Sequence, residues 1–177
     1  MKLDQLIHGK RILLASLDPE NLSAAYQKWM KDPDVLKYLT HPDGNYELEN
    51  LKEFVASMNE DVSNQLLGIF LKQGGQHIGN VKIGNIHPKH HRADVGIIIG
   101  DKTLWGKGYA TEAIQLVIQY AFHTLKLHKL IAGMFATNLG SYRAFLKAGF
   151  WKVGCYRKHY WIDGAYCDAY LLEILHE

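Results

Sequence analysis

Residues 97–113, reading IIIGDKTLWGKGYATEA, constrain this chain more than any other stretch. An apolar strand runs into a short loop, glycines follow at 106 and 108, and an amphipathic helix starts at once. Glycine tolerates positive φ and lets a ligand approach the backbone closely. The amides of Gly106 through Ala110 then converge in front of a helix N-terminus, an arrangement suited to an anion such as phosphate. A turn that needs glycine only for packing would leave the same trace.

Two nucleotide-binding patterns fail at this turn. A dinucleotide fingerprint needs a third small residue where Thr111 stands and an acidic residue about 20 positions later. His128 to Leu130 supply none. The phosphate-loop pattern needs Gly-Lys followed by Ser or Thr, whereas here Gly108 follows Lys107.

Around the turn the periodicity predicts alternating strands and helices. A strand over Lys10–Ser16 leads to Asp18-Pro19, an N-cap with proline at the first helical position. Leu22, Ala25, Tyr26 and Trp29 carry a helical period that stops near Asp32-Pro33. A second helix is expected from Glu47 to Asp61, after a turn-rich stretch over 37–46 that reads as a mobile loop. Strands follow at Leu66–Leu71, Ile78–Ile86 and Ala93–Gly100. Then comes the clearest helix, with apolar residues spaced i, i+3, i+4 from Ala110 to Leu125. Lys129–Thr137 reads as a strand, Asn138 caps a short helix ending at Gly149, and two last strands flank the hairpin dipeptide Asp163-Gly164. The class is α/β or α+β with a mixed sheet, and 177 residues suit a single domain over 1–177.

Composition removes other classes. A net charge of +2 with scattered Lys and Arg argues against nucleic acid. No apolar run approaches the roughly 20 residues that cross a bilayer, and Met1 to Arg11 does not read as a signal peptide. A cytoplasmic location is the expectation. Two cysteines cannot build a disulfide framework, and a turn at Asp163-Gly164 places Cys155 and Cys167 well out of register for pairing. His87, His90 and His91 cluster about Pro88 without metal-ligand spacing, so no metal is expected.

The turn Trp105-Gly106-Lys107-Gly108-Tyr109-Ala110 resembles the pyrophosphate turn of the GNAT acetyltransferase superfamily: Gln or Arg, two residues, Gly, one residue, then Gly or Ala. Trp105 replaces the usual first residue, which together with GYATEA is similar to the RimJ/RimL-type branch. A second signature fits downstream, where Asn138, Ser141 and Lys147-Ala148-Gly149-Phe150 resemble the family's N-x-x-S…K-x-G-F segment. WMKDPDVLKYL and DGAYCDAYLL also look like that branch, so the resemblance runs from about Arg11 to Leu175.

The resemblance implies a mixed, mostly antiparallel sheet of about six to seven strands with about four helices, splayed at its two central strands. Acetyl-CoA would lie in the splay, pairing near Ile98, Ile99 and Gly100. Its pyrophosphate would rest on Trp105, Gly106, Lys107, Gly108, Tyr109, Ala110 and Thr111. Asn138 would bind the pantetheine arm, with Ser141 close to the thiol. Phe145 stands where many relatives carry a tyrosine that protonates the leaving thiolate, which leaves the Ser141 hydroxyl as the donor. Asp94 matches an acidic position that serves as base in several members; paired with Arg92 or His91 it would be purely structural. Arg157, His159 and Asp168 fall near where relatives shape the acceptor pocket. The implied acceptor is a primary amine of a small metabolite, such as an amino sugar or a polyamine, or alternatively a protein N-terminus. A homodimer is a further family expectation. A non-catalytic CoA-binding module is the competing reading, since a fold does not fix an activity.

Overall fold

The computed structural model describes residues 3, 5–39 and 44–176. Of the loop read over 37–46, residues 40–43 lie outside the described residues.

Among the described residues eight strands form one sheet in the order β1-β2-β3-β4-β5-β6-β8-β7. They are β1 (Ile7–His8), β2 (Ile12–Ser16), β3 (Gln65–Leu71), β4 (His77–His87), β5 (Arg92–Ile99), β6 (Lys129–Phe135), β7 (Trp151–Ile162) and β8 (Ala165–Leu175). Five α-helices among the same residues accompany them: α1 (Ala24–Trp29), α2 (Pro33–Leu36), α3 (Leu48–Glu60), α4 (Tyr109–His123) and α5 (Leu139–Ala148). The class is the expected mixed one. Every pairing is antiparallel except β5 with β6.

The Asp-Pro pairs act differently from the reading of the N-terminal helix. Asp18 caps only a 3-10 turn over Pro19–Asn21, and Ser23 caps α1 by accepting from the Tyr26 amide. Asp32-Pro33 does not merely stop a helix. It starts α2, with Asp32 accepting from the Asp34 amide and Pro33 at the first position, where no N–H is needed.

Strand alternation sorts the core onto two faces. Leu67 and Ile69 of β3 join the cluster under α4 and α5, while Leu66 and Phe70 join Trp29, Val35 and Leu51 under α1–α3. In β5, Ile97 and Ile99 pack on the α4 side and Ile98 on the other. Gly100 is glycine because of that second layer: a Cβ there would fall 2.0 Å from Trp29 Cδ2.

The feature that positions the site is the β5–β6 seam. Only Arg92↔Lys129, Ala93↔Leu130 and Asp94↔Ile131 pair. Beyond them β5 stays with β4 as far as Ile99↔Gly79, and β6 stays with β8 as far as Phe135↔Ala169. The strands therefore diverge, and unpaired backbone lines the opening.

Candidate active site

A cleft of about 720 Å³ fills this opening, lined by the end of β5, the glycine turn, the start of α4, the start of α5 and the segment after α2. Along a strand, successive residues turn their backbone groups to opposite neighbours. The Gly100 amide donates to the Ile78 carbonyl at 2.9 Å, toward β4, and the His91 carbonyl accepts from His128 and Lys129, toward β6. By that parity Ile98 and Gly100 face β4, and Ile97 and Ile99 face the opening. Of Ile98, Ile99 and Gly100, read above as the pairing residues, only Ile99 turns its peptide groups to the opening, together with Ile97. Ile98 borders the cleft without offering its peptide groups, and Gly100 does not line it.

The glycine turn is built for an anion. Gly106 and Gly108 hold φ of 74° and 84°, in the left-handed region. Gly108 is the N-cap of α4 and supplies no side-chain cap. The first helical bond runs from the Glu112 amide to the Gly108 carbonyl. Hence the amides of Gly106, Gly108, Tyr109, Ala110 and Thr111 are left without backbone partners among the described residues. Lys107 departs from expectation: its amide turns back to the Leu104 carbonyl at 3.4 Å and its side chain does not line the cleft. Trp105 has a definite task. Its indole Nε1 donates to the Ile99 carbonyl at 2.7 Å, tying the turn to the end of β5.

Arg11, a hundred positions away, braces this turn. Its Nε bonds Glu112 at 2.8 Å, its Nη1 donates to the Lys107 carbonyl at 2.9 Å, and its guanidinium lies 4.3 Å from the Tyr109 ring centre. Glu112 also accepts from the Arg11 and Ile12 amides. Burial opposes ionisation of Glu112, but these donors outweigh it and hold the carboxyl below its ordinary value. Sequence spacing carries no sign of this contact. Across the cleft, Arg143 and Lys147 of α5 supply cationic side chains. Standing i, i+4, they share one face of that helix.

Asn138 Oδ1 accepts from the Ser141 amide at 3.1 Å, capping α5. Ser141 therefore does not share the cap, and its hydroxyl lines the cleft with no hydrogen bond among the described residues. Phe145 does not reach the cleft. It is 2% exposed and meets Phe150 edge-on in the core.

Asp94 is placed away from the opening. It lines neither this cleft nor its neighbour, and Asn85 Nδ2 donates to its Oδ2 at 2.5 Å. Its partner is thus neither Arg92 nor His91. Asn85 sits in a β4 bulge with φ of 51°, a register shift that alternation along the chain does not show. Asp94 Oδ1 is buried without a partner among the described residues.

A second cleft of about 650 Å³ adjoins the first and shares Asp34, Lys37 and Leu39 with it. Phe135, His159, Tyr160 and Trp161 form much of its wall. A bulge in β7 between Tyr156 and Tyr160 displaces residues 157–159 from the register. Asp168 stabilises that bulge, with Oδ1 accepting from the Lys158 amide at 2.8 Å. Asp168 is committed to the backbone and does not line the cleft, nor does Arg157; His159 does. Lys37 bonds Asp163 at 2.7 Å, across the mouth between the segment after α2 and the β7–β8 turn. Lys102 bridges Asp32 and Asp34, which pushes its own pKa up and that of Asp32 down. Both cysteines are free thiols. No group of three or more His, Cys, Asp or Glu among the described residues is arranged to hold a metal ion, and no described helix is long and apolar enough to cross a membrane.

Comparison with known proteins accounts for this geometry. Residues 11–151 match the Acetyltransferase (GNAT) domain family. The probable N-acetyltransferase YjcK of Bacillus subtilis (strain 168) is 38% identical over 176 residues, covering 96% of this chain and 97% of that protein. Spermidine N-acetyltransferase from Vibrio cholerae, solved with CoA and spermine, superposes with a TM-score of 0.81 at 23% identity, covering 93% of this chain and 95% of that one. RimL, a ribosomal L7/L12 α-N-protein acetyltransferase solved with coenzyme A, superposes with a TM-score of 0.86 at 15% identity, covering 97% and 98%. The splayed seam, the free amides of the glycine turn and this sequence match lead to one conclusion: the chain belongs to the GNAT acetyltransferase family and is an N-acetyltransferase with acetyl-CoA as co-substrate.

Proposed function

We propose that the enzyme transfers an acetyl group directly from acetyl-CoA to the primary amine of a small metabolite held in the cleft beside Tyr160. The observation that carries this is the junction of the two clefts at Asp34, Lys37 and Leu39, which lets an amine in one reach a thioester in the other. The pyrophosphate is held by the free amides of Gly106 and of Gly108 to Thr111, with Arg143 and Lys147 opposite, and the pantetheine arm pairs with Ile97 and with the Ile99 amide. A Cβ at Gly106 would meet nothing within 4 Å, so the turn leaves the room such a group needs. The Asn138 side-chain amide nitrogen remains available to the arm.

An alkylammonium has a pKa of about 10.4 and must lose a proton before its nitrogen attacks. With Asp94 out of reach, Asp34, Asp163 and His159 are the acceptors in the described lining. Asp34 is held by Lys102 and Asp163 by Lys37, each at 2.7 Å, whereas among the described residues His159 makes only ring contacts, with Tyr156 and Tyr160. His159 therefore takes the proton, a role common for histidine. The Ser141 hydroxyl donates to the departing thiolate, and the Ile97 or Ile99 amide meets the carbonyl oxygen as charge develops on it.

The Trp105-first turn and the fold likeness to RimL support a RimJ/RimL-like placement. Two free thiols suit the reducing cytoplasm as place of action. The test is CoA release from acetyl-CoA with a panel of small primary amines and peptides. Turnover of small amines, lost by about a hundredfold in His159→Gln, is the expected result. Turnover of peptides alone would move the acceptor to a protein N-terminus.

A further inference from the structure

We infer that the acceptor is a small primary monoamine carried on an aromatic body, an arylalkylamine, rather than a polyamine or an amino sugar. The inference rests on the acetyl-transfer reading above and concerns the chemistry of the second cleft. Six of its ten lining residues are apolar or aromatic: Pro33, Leu39, Phe135, Tyr160, Trp161 and Ile162. Two of the aromatic ones, Phe135 and Tyr160, are set as a platform. Phe135 and Tyr160 stack at 4.0 Å with their planes 20° apart, across from β6 to β7. Trp161 is 64% exposed, and Tyr166 fixes its orientation edge-on at 4.8 Å. A flat body gains from offset or edge contacts with such rings. A volume of about 650 Å³ is ample for a ligand of that size.

Charge separates this class from a polyamine. A polyamine brings a second ammonium that needs an unpaired carboxylate, because a desolvated charge must be matched. The described lining offers two carboxylates, and each already has its own lysine. Asp163 is bonded to Lys37 at 2.7 Å and Asp34 to Lys102 at 2.7 Å. A sugar ring would need several hydrogen-bonding groups around its hydroxyls. Besides these two paired acids and Lys37, the cleft offers His159 and the Tyr160 hydroxyl. A monoamine brings a single ammonium, and that one loses its charge to His159 before it attacks.

The test measures CoA release with phenethylamine, tyramine and tryptamine against spermidine, putrescine and glucosamine, with acetyl-CoA saturating. We expect kcat/KM for the arylalkylamines at least about tenfold above the others. Tyr160→Ala should raise the arylalkylamine KM by about three- to tenfold, the scale of one lost ring contact. Lys37→Met should free Asp163 and lower the spermidine KM several-fold. Spermidine or glucosamine preferred by the unsubstituted enzyme would overturn the acceptor class while leaving acetyl transfer intact. An unchanged spermidine KM in Lys37→Met would overturn the charge argument. Binding of acetyl-CoA with no turnover of any amine or peptide would instead overturn the acetyl-transfer reading on which the inference stands.

Discussion

Ser141 and Asp94 show how differently two candidate residues fare once side chains have places. Ser141 reaches the first cleft with a hydroxyl engaged in no hydrogen bond among the described residues, because Asn138 alone caps α5. Removing the hydroxyl should slow the breakdown step and spare binding. Ser141→Ala is expected to lower kcat roughly a hundredfold, the low end for a lost proton donor, with the acetyl-CoA KM within about twofold of the parent. An unchanged kcat would show that the thiolate leaves without it. Asp94 is bonded to Asn85 and borders neither cleft. Asp94→Asn should therefore keep kcat/KM within about threefold, since surface and structural changes away from the chemistry leave the transition state alone. A loss beyond tenfold across the neutral range would restore Asp94 as the base.

Among the elements, the contact of β2 with the first turn of α4 does the most for the pyrophosphate turn. Acidic residues suit a helix N-terminus through the dipole, and Glu112 does more than that by accepting from Arg11 and Ile12. Arg11→Ala removes the partly exposed guanidinium and leaves both amide bonds, so about 0.5–1 kcal/mol should be lost. Glu112→Gln weakens every one of these bonds, and about 1–3 kcal/mol is expected. Both changes should raise the acetyl-CoA KM by releasing the Lys107 carbonyl or Tyr109. The sign of the pH dependence follows from the lowered Glu112 pKa. The unfolded chain binds its proton first as pH falls, so the stabilisation is complete above the ordinary value of 4.5 and disappears as pH drops through the lower folded value. Melting curves of the parent and Glu112→Gln should thus differ by a constant amount at pH 6–7 and converge toward pH 3. A difference that grew on acidification would contradict the assignment.

For the whole molecule, the weak place is the seam between the two halves of the sheet, joined by only three β5–β6 pairs. A ligand that fills the splay binds the folded chain and not the unfolded one. At a hundredfold excess over Kd it adds about 2.7 kcal/mol, which for a chain of this size raises Tm by roughly 5–11 °C. Gly108→Val should abolish that rise, because φ of 84° strains any β-branched residue and its Cβ would sit 3.4 Å from Arg11 Nη2. A full rise in the variant would place the pyrophosphate elsewhere. The glycine turn, the long apolar helix behind it, the Asp163-Gly164 hairpin and the alternation of β5 were all legible in the sequence. Each depends on local backbone preference or short-period burial, which neighbours along the chain reveal. The cleft's cationic and bracing residues, the bulges at Asn85 and Lys158, and the side of the strand that presents free peptides were decided by tertiary structure alone. Arg11 reaches Glu112 and Phe135 stacks on Tyr160 only after elements apart in sequence have packed together, the latter pair across β8. One inserted bulge residue also changes what a carboxylate such as Asp94 or Asp168 can touch. The amino-acid order thus determined the turn proposed for the acetyl donor, through backbone amides that need only glycine and a helix start; the packing of β6, β7 and the segment after α2 determined the shape of the cleft proposed for the amine.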